Sequence, residues 1–148
     1  APCSRAISDA KRLGIKNIIF LDQTIDDQRI SQLYNTFDVL CHSNCLGETF
    51  GNTIAEAMMH GKPVISHIGS STWVQAQPEL LGVKYPELFI TENIQKKYSE
   101  IMLRLMNDVH YYANVSGYLH KRAELEFDYI KVAEKYFLLY EQIIGKDK

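Results

Sequence analysis

The chain has few of the residues that mark specialised classes of protein. Only three cysteines and one tryptophan occur in 148 residues, and an odd set of cysteines without secretory features indicates reduced thiols, as in cytosolic proteins. No apolar run approaches the roughly 20 residues that span a bilayer, and the opening residues lack the apolar core of a signal peptide. We therefore expect a cytoplasmic protein.

Charge of one sign is also scarce. The formal net charge is -2 and the isoelectric point is about 6.2, whereas a surface for nucleic acid is normally strongly basic. We expect no nucleic-acid partner. Cys41 and Cys45 lie four apart with His42 between them, but no second pair has the spacing of a zinc site, so we expect no bound metal.

Hydrophobic residues make up 46% of the chain, which is enough apolar material for one core. A length of 148 residues suits one domain. We expect a single, partial domain over residues 1–148, in which residues 118–145 form a C-terminal helical segment. The chain begins without methionine and enters directly on a helical pattern, which suggests a part of a longer protein.

Helical patterns alternate with short apolar runs along the chain. Helices are predicted at residues 4–13, 26–37, 52–60, 92–107 and 118–144, and strands at residues 18–21, 38–43, 63–67 and 88–90. Gly14 and Gly61 are expected to end two of these helices, and Pro78 to break any helix that starts at Trp73. The alternation predicts an α/β fold with a Rossmann-like parallel sheet flanked by helices.

Three loops are expected to meet at one edge of this sheet. Right-handed crossovers place the loops that follow parallel strands, here residues 22–26, 44–51 and 68–72, along the edge where ligands bind. The second loop opens a helix, so free backbone N–H groups around residues 50–53 carry the positive end of the helix dipole. A diphosphate is a natural occupant, and Gly51 lets it approach the backbone closely.

Two glutamates flank this helix start. Glu56 lies about 200° round the helix from Ile54 at 3.6 residues per turn, so it faces away from the core and could accept hydrogen bonds from the vicinal hydroxyls of a ribose. Glu48 lies in the loop, where it could accept from sugar hydroxyls beyond the phosphates. A glutamate on the outer face of a helix is usually only solvated, and the spacing alone is weak evidence of function.

Residues 48–65 resemble the E-x7-E signature of the retaining GT-B glycosyltransferases of the family 4 type. Glu48 and Glu56 match the two acids, Phe50 begins the usual F-G, and the run continues as E-A-M-x-x-G-x-P-V-I. This dense match is more specific than any dipeptide within it. The resemblance extends more weakly over most of the chain, with a poor match at residues 73–91.

The resemblance implies the C-terminal donor-binding domain of a hexosyltransferase of glycan biosynthesis, which uses a nucleotide diphosphate sugar. It implies a catalytic, sugar-binding role for Glu48 and ribose contacts for Glu56. It implies no metal or other cofactor. Its partners would be a nucleotide sugar and an N-terminal acceptor domain of the same chain, which would also make any peripheral membrane contact. The other implied residues are Thr49, Phe50, Gly51 and Asn52 for the sugar and diphosphate, and Leu21, Asp22 and Thr24 beside the base.

The chain also departs from that family. The Arg and Lys that usually neutralise the leaving phosphates have no match before Ile18, so we expect the first strands of the fold to be lacking and the chain alone to be inactive. His42 stands where the family often has Pro, and only Gly69 remains of the usual Gly-Gly pair. Two alternatives stay open: a vestigial Rossmann-like binding or scaffold module, and another GT-B sugar-nucleotide enzyme such as an epimerase.

Two further features favour a structural interpretation. His67 follows a strand and could reach the ligand crevice, but a solvated or half-buried histidine is the commoner case. Aromatic residues recur at helical spacing between residues 118 and 144, and this spacing is more typical of a core-facing helix than of a partner surface.

Overall fold

The computed structural model describes residues 4–22, 24, 26–43, 48–67 and 76–145. The chain divides into two compact units, residues 1–33 and residues 34–148, and each is described by itself. Within the described residues, none of the helices combines the length and apolar character that a bilayer crossing requires.

The first unit opens with helix α1 (Ser4–Arg12). Gly14 follows it with φ +68°, its N–H donates to the Lys11 carbonyl at 3.1 Å, and the N–H of Ile15 donates to the Ala10 carbonyl at 3.0 Å. These two bonds form the Schellman arrangement, which needs a left-handed residue at this position. The predicted end of the helix at Gly14 is confirmed.

Helix α2 (Asp27–Tyr34) begins directly after an acidic cap. The Asp26 carboxylate accepts a hydrogen bond from the Arg29 N–H at 2.9 Å. A side chain of this type satisfies one of the free donors at a helix start and complements the helix dipole. The acidic start that the sequence indicated for this helix is confirmed.

Residues 18–21, which were predicted as a strand, form none. Ile19 is 83% exposed, and Ile18 and Leu21 are exposed as well. A β-branched composition suits a strand, but a strand exists only where a second strand bonds to its backbone. Among its described residues the first unit contains no other strand, so this prediction is wrong.

The second unit contains a parallel sheet of β1 (Leu40–His42), β2 (Val64–His67) and β3 (Phe89–Ile90). The strands lie in the order β1-β2-β3, and both pairings are parallel. All four residues of the central strand are buried, as expected of a strand covered on both faces. The predicted parallel sheet is confirmed. In register, Cys41 lies opposite Ile65 and Ser66 opposite Phe89.

Helix α3 (Asn52–Met59) connects β1 to β2 and buries its apolar face. Gly61 follows it with φ +65°, and its N–H donates to the Met58 carbonyl at 2.9 Å, while Lys62 donates to the Ala57 carbonyl at 2.9 Å. This is a second Schellman ending. The helix and its end at Gly61 both match the sequence prediction.

Helix α4 (Gln77–Leu81) has Pro78 in its first turn. The helix from Trp73 that Pro78 was expected to break would begin outside the described residues. A proline ring sets the φ of a first turn, and the N–H that it lacks would have no partner there. A 3-10 turn (Pro86–Leu88) then leads into β3. The side chain of Arg122 donates from Nε to the Leu80 carbonyl at 2.8 Å and so satisfies the end of α4.

Three longer helices complete the unit: α5 (Ile94–Asn107), α6 (Val109–Glu126) and α7 (Tyr129–Gly145). Asp108 caps α6 by accepting the Tyr111 N–H at 2.9 Å. The buried residues of α6 recur every fourth position, in agreement with helical spacing, and the helix contacts both α3 and α5. They are Tyr111, Val115, Leu119 and Ala123.

The aromatic stretch at the C-terminus is two helices rather than one. Asp128 separates them, since its carboxylate accepts the N–H groups of Ile130 at 3.0 Å and Lys131 at 3.1 Å and so starts α7. No residue of α7 is buried. The interpretation of its aromatic residues as core is therefore wrong for α7.

Candidate functional site

The start of α3 depends on Gly51, which is buried and has φ +86° and ψ 55°. A Cβ here would lie 2.8 Å from Leu80 Cδ1 and 3.1 Å from Glu48 Cγ. Both the left-handed backbone and the lack of space require glycine. The close approach of a ligand, which the sequence analysis gave as the reason for this glycine, stays a prediction, and the packing of Leu80 and Glu48 against it is a further reason.

The N-terminus of α3 carries no side-chain cap among the described residues. The Gly51 carbonyl accepts the N–H groups of Ile54 at 2.9 Å and Ala55 at 3.1 Å, which leaves those of Asn52 and Thr53 at the open end. Both residues are exposed. An uncapped helix start of this kind attracts an anion through free N–H groups and the helix dipole.

Glu48 is held in the loop at both its backbone and its carboxylate. Its carbonyl accepts the N–H of Ala76 at 2.9 Å. Its Oε2 lies 3.5 Å from His42 Nε2, and only 23% of the Glu48 side chain is exposed. The carboxylate therefore has a defined direction at the carboxyl end of β1.

His42, the last residue of β1, lies between this carboxylate and the neighbouring strand. Its Nδ1 is 3.1 Å from Ser66 Oγ on β2, and 11% of its side chain is exposed. Burial lowers the pKa of His42, while the Glu48 carboxylate acts in the opposite direction and His67 lowers the pKa further. The neutral imidazole is thereby favoured.

Tyr98 of α5 joins the ends of β1 and β2. Its hydroxyl donates to the His42 carbonyl at 2.7 Å and lies 3.3 Å from Nδ1 of His67. Burial, with a smaller effect of Cys41, raises the pKa of Tyr98 to about 12. The solvated or half-buried position expected for His67 is wrong, because only 6% of this residue is exposed. We call His42, Glu48, Ser66, His67 and Tyr98 the strand-end cluster.

Glu56 lies on the exposed face of α3, as predicted, but it is not merely solvated. Its Oε2 accepts a hydrogen bond from the Tyr34 hydroxyl at 2.8 Å. Tyr34 is 6% exposed, and its ring stacks on that of His60 at a centroid distance of 5.0 Å. Burial and then the bond to Glu56 raise the pKa of Tyr34, so a neutral hydroxyl directs the carboxylate.

Thr49 and Phe50 border a cavity of about 170 Å³. Both residues are exposed, and the ring of Phe127 meets that of Phe50 edge-on at 5.9 Å. Phe127 follows the last residue of α6, and its position beside the motif was not predicted. The cavity is also lined by Ala76, Glu79, Leu80, Arg122 and Glu126.

The base-flanking candidates Leu21, Asp22 and Thr24 belong to the first unit. Leu21 and Asp22 are exposed, and the Thr24 hydroxyl accepts the N–H of Asp26 at 3.2 Å. Their role beside a base stays a prediction. Residues 44–47 and 68–72 of the other two predicted loops lie outside the described residues.

Metal-ligating side chains do not gather in the described part of the chain, where no group of three or more His, Cys, Asp or Glu could hold an ion. Cys41 is a free thiol whose Sγ lies 3.8 Å from Met102 Sδ, and burial raises its pKa. Cys45 lies outside the described residues.

A family comparison matches residues 2–108 to the model described as "Glycosyl transferases group 1". Among curated proteins, the chain is 33% identical over 66 residues to the D-rhamnosyltransferase WbpZ of Pseudomonas aeruginosa, a match that covers 44% of this chain and 17% of that protein.

Solved structures show the same fold. The chain is similar to Alr3699/HepE of Anabaena in complex with UDP and glucose, with a TM-score of 0.77 and 23% identity. It is equally similar to the complex of that protein with UDP-glucose, with a TM-score of 0.76 and 22% identity. Each alignment covers 93% of this chain and 36% of the solved chain, so the chain spans about a third of the length of these structures.

Proposed function

This chain belongs to the group 1 glycosyl transferases, and we propose that it forms the donor-binding half of a retaining enzyme of the family 4 type. The reaction is transfer of a sugar from a nucleotide diphosphate sugar to an acceptor. The observation that carries the proposal is the pair of directed carboxylates, Glu48 and Glu56, on either side of an uncapped helix start.

Glu48 accepts hydrogen bonds from the hydroxyls of the donor sugar and is the catalytic residue of this half. Its carboxylate is part-buried and directed toward the end of β1, so little reorientation is needed when a sugar arrives. A fixed acceptor is more effective than a mobile one, because the cost of ordering it has already been met on folding.

The diphosphate lies at the start of α3, where the backbone of residues 49–52 and the helix dipole stabilise the charge of the departing nucleotide. Gly51 keeps this backbone in its left-handed conformation. No metal takes part in this scheme, because N–H groups and the dipole act on the phosphates directly.

Glu56 binds the two ribose hydroxyls. The Tyr34 hydroxyl occupies one of its oxygens at 2.8 Å, and a carboxylate has further lone pairs for a diol. The base-flanking role of Leu21, Asp22 and Thr24, which belong to the first unit, stays a prediction. We propose that the acceptor, and any contact with a membrane surface, belong to a separate acceptor-binding domain, and that transfer occurs in the cytoplasm.

The known proteins support a nucleotide sugar as the ligand. The solved HepE complexes contain UDP, UDP with glucose, or UDP-glucose, and WbpZ is named as a D-rhamnosyltransferase. These ligands belong to those proteins, and they guide the choice of probes for this one.

The proposal is tested by nucleotide binding to the chain, measured by saturation-transfer NMR and calorimetry with UDP, GDP and ADP. We expect one of them to bind in the millimolar range or tighter, and Glu56→Ala to weaken it by about tenfold or more, because hydrogen bonds to a charged group contribute about 1.5–3 kcal/mol. In a protein that includes an acceptor domain, Glu48→Ala should reduce turnover more than nucleotide binding.

The matched control is Glu100→Ala on α5, whose side chain is 60% exposed and which should change neither quantity. Failure of all three nucleotides to bind would overturn the donor-site proposal. A larger effect of Glu48→Ala than of Glu56→Ala on nucleotide binding would reverse the roles of the two residues.

One observation favours a second function, that of a binding or scaffold module. Helix α7 exposes its apolar side chains, among them Phe137 at 63% and Ile144 at 67%. Exposed apolar surface of this extent favours association with another chain. Size-exclusion runs at several concentrations, with and without nucleotide, separate the two functions. Self-association that is the same with and without nucleotide favours the binding or scaffold module.

A further inference from the structure

Within the strand-end cluster, His42 contacts both the carboxylate of Glu48 and the central strand of the sheet. Its Nε2 lies 3.5 Å from Glu48 Oε2, and its Nδ1 lies 3.1 Å from Ser66 Oγ. Its backbone is also fixed, since the carbonyl accepts the Tyr98 hydroxyl at 2.7 Å. The ring therefore has little freedom to turn away from Glu48.

The two contacts determine which ring nitrogen carries the proton. A carboxylate only accepts hydrogen bonds, so a neutral imidazole must direct an N–H from Nε2 toward Glu48. Nδ1 is then the acceptor, and Ser66, whose hydroxyl can both donate and accept, must donate to it. Ser66 is fully buried, which limits the alternatives open to its hydroxyl.

We propose that His42 is a positioning residue that holds the Glu48 carboxylate in place through its Nε2–H, with Glu48 selecting the tautomer and Ser66 donating to Nδ1. The meaning of this contact for sugar binding rests on the proposed function. The contact is longer than a short hydrogen bond, so the ring acts mainly by directing the positive end of its N–H dipole at the carboxylate. Glu48 then presents its remaining lone pairs to the sugar.

Acid should weaken the binding of a sugar to Glu48. In the described part of the chain, the titratable groups that face His42 are Glu48 from the loop, His67 from β2 and Tyr98 from α5, and burial lowers the pKa of the ring. Once the ring gains a proton, Nδ1 becomes a donor and Ser66 must reverse its hydroxyl. The charged ring also competes with sugar hydroxyls for Glu48, so the sugar contribution to binding falls as the pH drops through the pKa of His42.

The tautomer is measured first, because it needs no ligand. In ¹⁵N NMR of the whole chain at pH 7.5, we expect His42 to carry its proton on Nε2. Glu48→Ala removes the acceptor and should convert it to a mixture of tautomers, whereas Glu100→Ala should not, because Glu100 is an exposed residue of α5. A proton on Nδ1, or a tautomer that is unchanged in Glu48→Ala, would overturn the inference.

Binding is measured second, with whichever of UDP, GDP and ADP binds and with its glucose conjugate. His42→Ala should weaken the conjugate about fivefold, the value of one ordinary hydrogen bond, and leave the free nucleotide unchanged. His42→Gln, whose amide can place an N–H near the Nε2 position, should restore binding and abolish the loss in acid. His110→Ala, on the exposed start of α6, should behave as the unchanged chain.

Equal weakening of nucleotide and conjugate by His42→Ala would contradict a role through Glu48, as would an acid loss that persists in His42→Gln. A chain that binds no nucleotide at all would instead overturn the proposed function. In that event the tautomer measurement still decides whether His42 positions Glu48.

Discussion

Helices α3 and α7 are both rich in apolar residues, yet one is largely buried and the other is exposed. In α3, Ile54, Ala57 and Met58 are fully buried, whereas α7 buries none of its residues, and Tyr129 at its start is 80% exposed. Apolar spacing gives a helix its apolar face. Whether that face is covered depends on the surfaces that lie opposite it, and these come from distant parts of the chain.

The cover of α3 comes from two sides. Helix α3 contacts strand β2, which is fully buried, and helix α6, whose buried residues include Val115, Leu119 and Ala123. Small residues at Ala57 and Ala123 allow close packing of the helices. Helix α7 has contacts with α6, but these are too limited to bury any of its side chains.

The largest expected effect in this comparison is the loss of a core side chain from α3. Ile54→Ala should lower the free energy of unfolding by about 2–5 kcal/mol, because the removed atoms leave a cavity in a close-packed region. Ile144→Ala, the same change in α7, should stay within about 0.5 kcal/mol, as exposed positions usually do. Urea unfolding of both variants measures the two values. Similar losses would mean that α7 is covered in solution after all.

A smaller effect is expected at the glycines that border these helices. Gly51→Ala should cost about 2–3 kcal/mol, from a left-handed backbone and a Cβ too close to Leu80. Gly145→Ala, at the end of α7, meets no atom within 4 Å and should change stability by no more than a few tenths of a kcal/mol. Thermal unfolding measures the stability of both variants. A Gly51→Ala variant as stable as the original chain would show that the close approach to Leu80 is not retained.

The smallest effect concerns the tyrosines. Tyr34→Phe removes the bond to Glu56 and should cost about 1 kcal/mol at neutral pH, whereas Tyr140→Phe in α7, where Tyr140 is 58% exposed, should cost almost nothing. The folded-state pKa of Tyr34 is raised, so its contribution is present below the ordinary tyrosine pKa and is lost as the pH rises above it. Unfolding at pH 7 and pH 11 should show the Tyr34→Phe difference shrinking at high pH. A constant difference would contradict the raised pKa.

Much of the second unit followed from local patterns. Gly61 ends α3 because a glycine readily takes the left-handed conformation, and the apolar run at residues 63–67 forms the central strand. The same reasoning failed at residues 18–21, where strand formation depends on a partner that composition does not reveal. The short helix that begins at Gln77 was not predicted either, because a proline starts a helix as readily as it ends one, and only the backbone around it distinguishes the two cases.

In the candidate site, too, the residues within one local motif were predicted, and their partners from distant segments were not. The E-x7-E run located Glu48, Gly51 and Glu56, because their spacing in the sequence is also their order around a loop and the first turns of one helix. The partners that direct these carboxylates were not foreseen. Tyr34, which bonds to Glu56, comes from a preceding helix. His42, which faces Glu48, is held by Tyr98 from a helix far along the chain.

The sequence by itself determined the alternation of strands and helices, the two Schellman glycines and the motif at the start of α3. Each of these depends on backbone preferences or contacts within a few residues, which spacing and composition can express. Only the tertiary structure decided that His42 and His67 join one buried cluster, that Tyr34 holds Glu56, and that α7 stays exposed. Burial and direction are properties of surfaces that meet, and the surfaces that meet here are contributed by segments far apart in the chain.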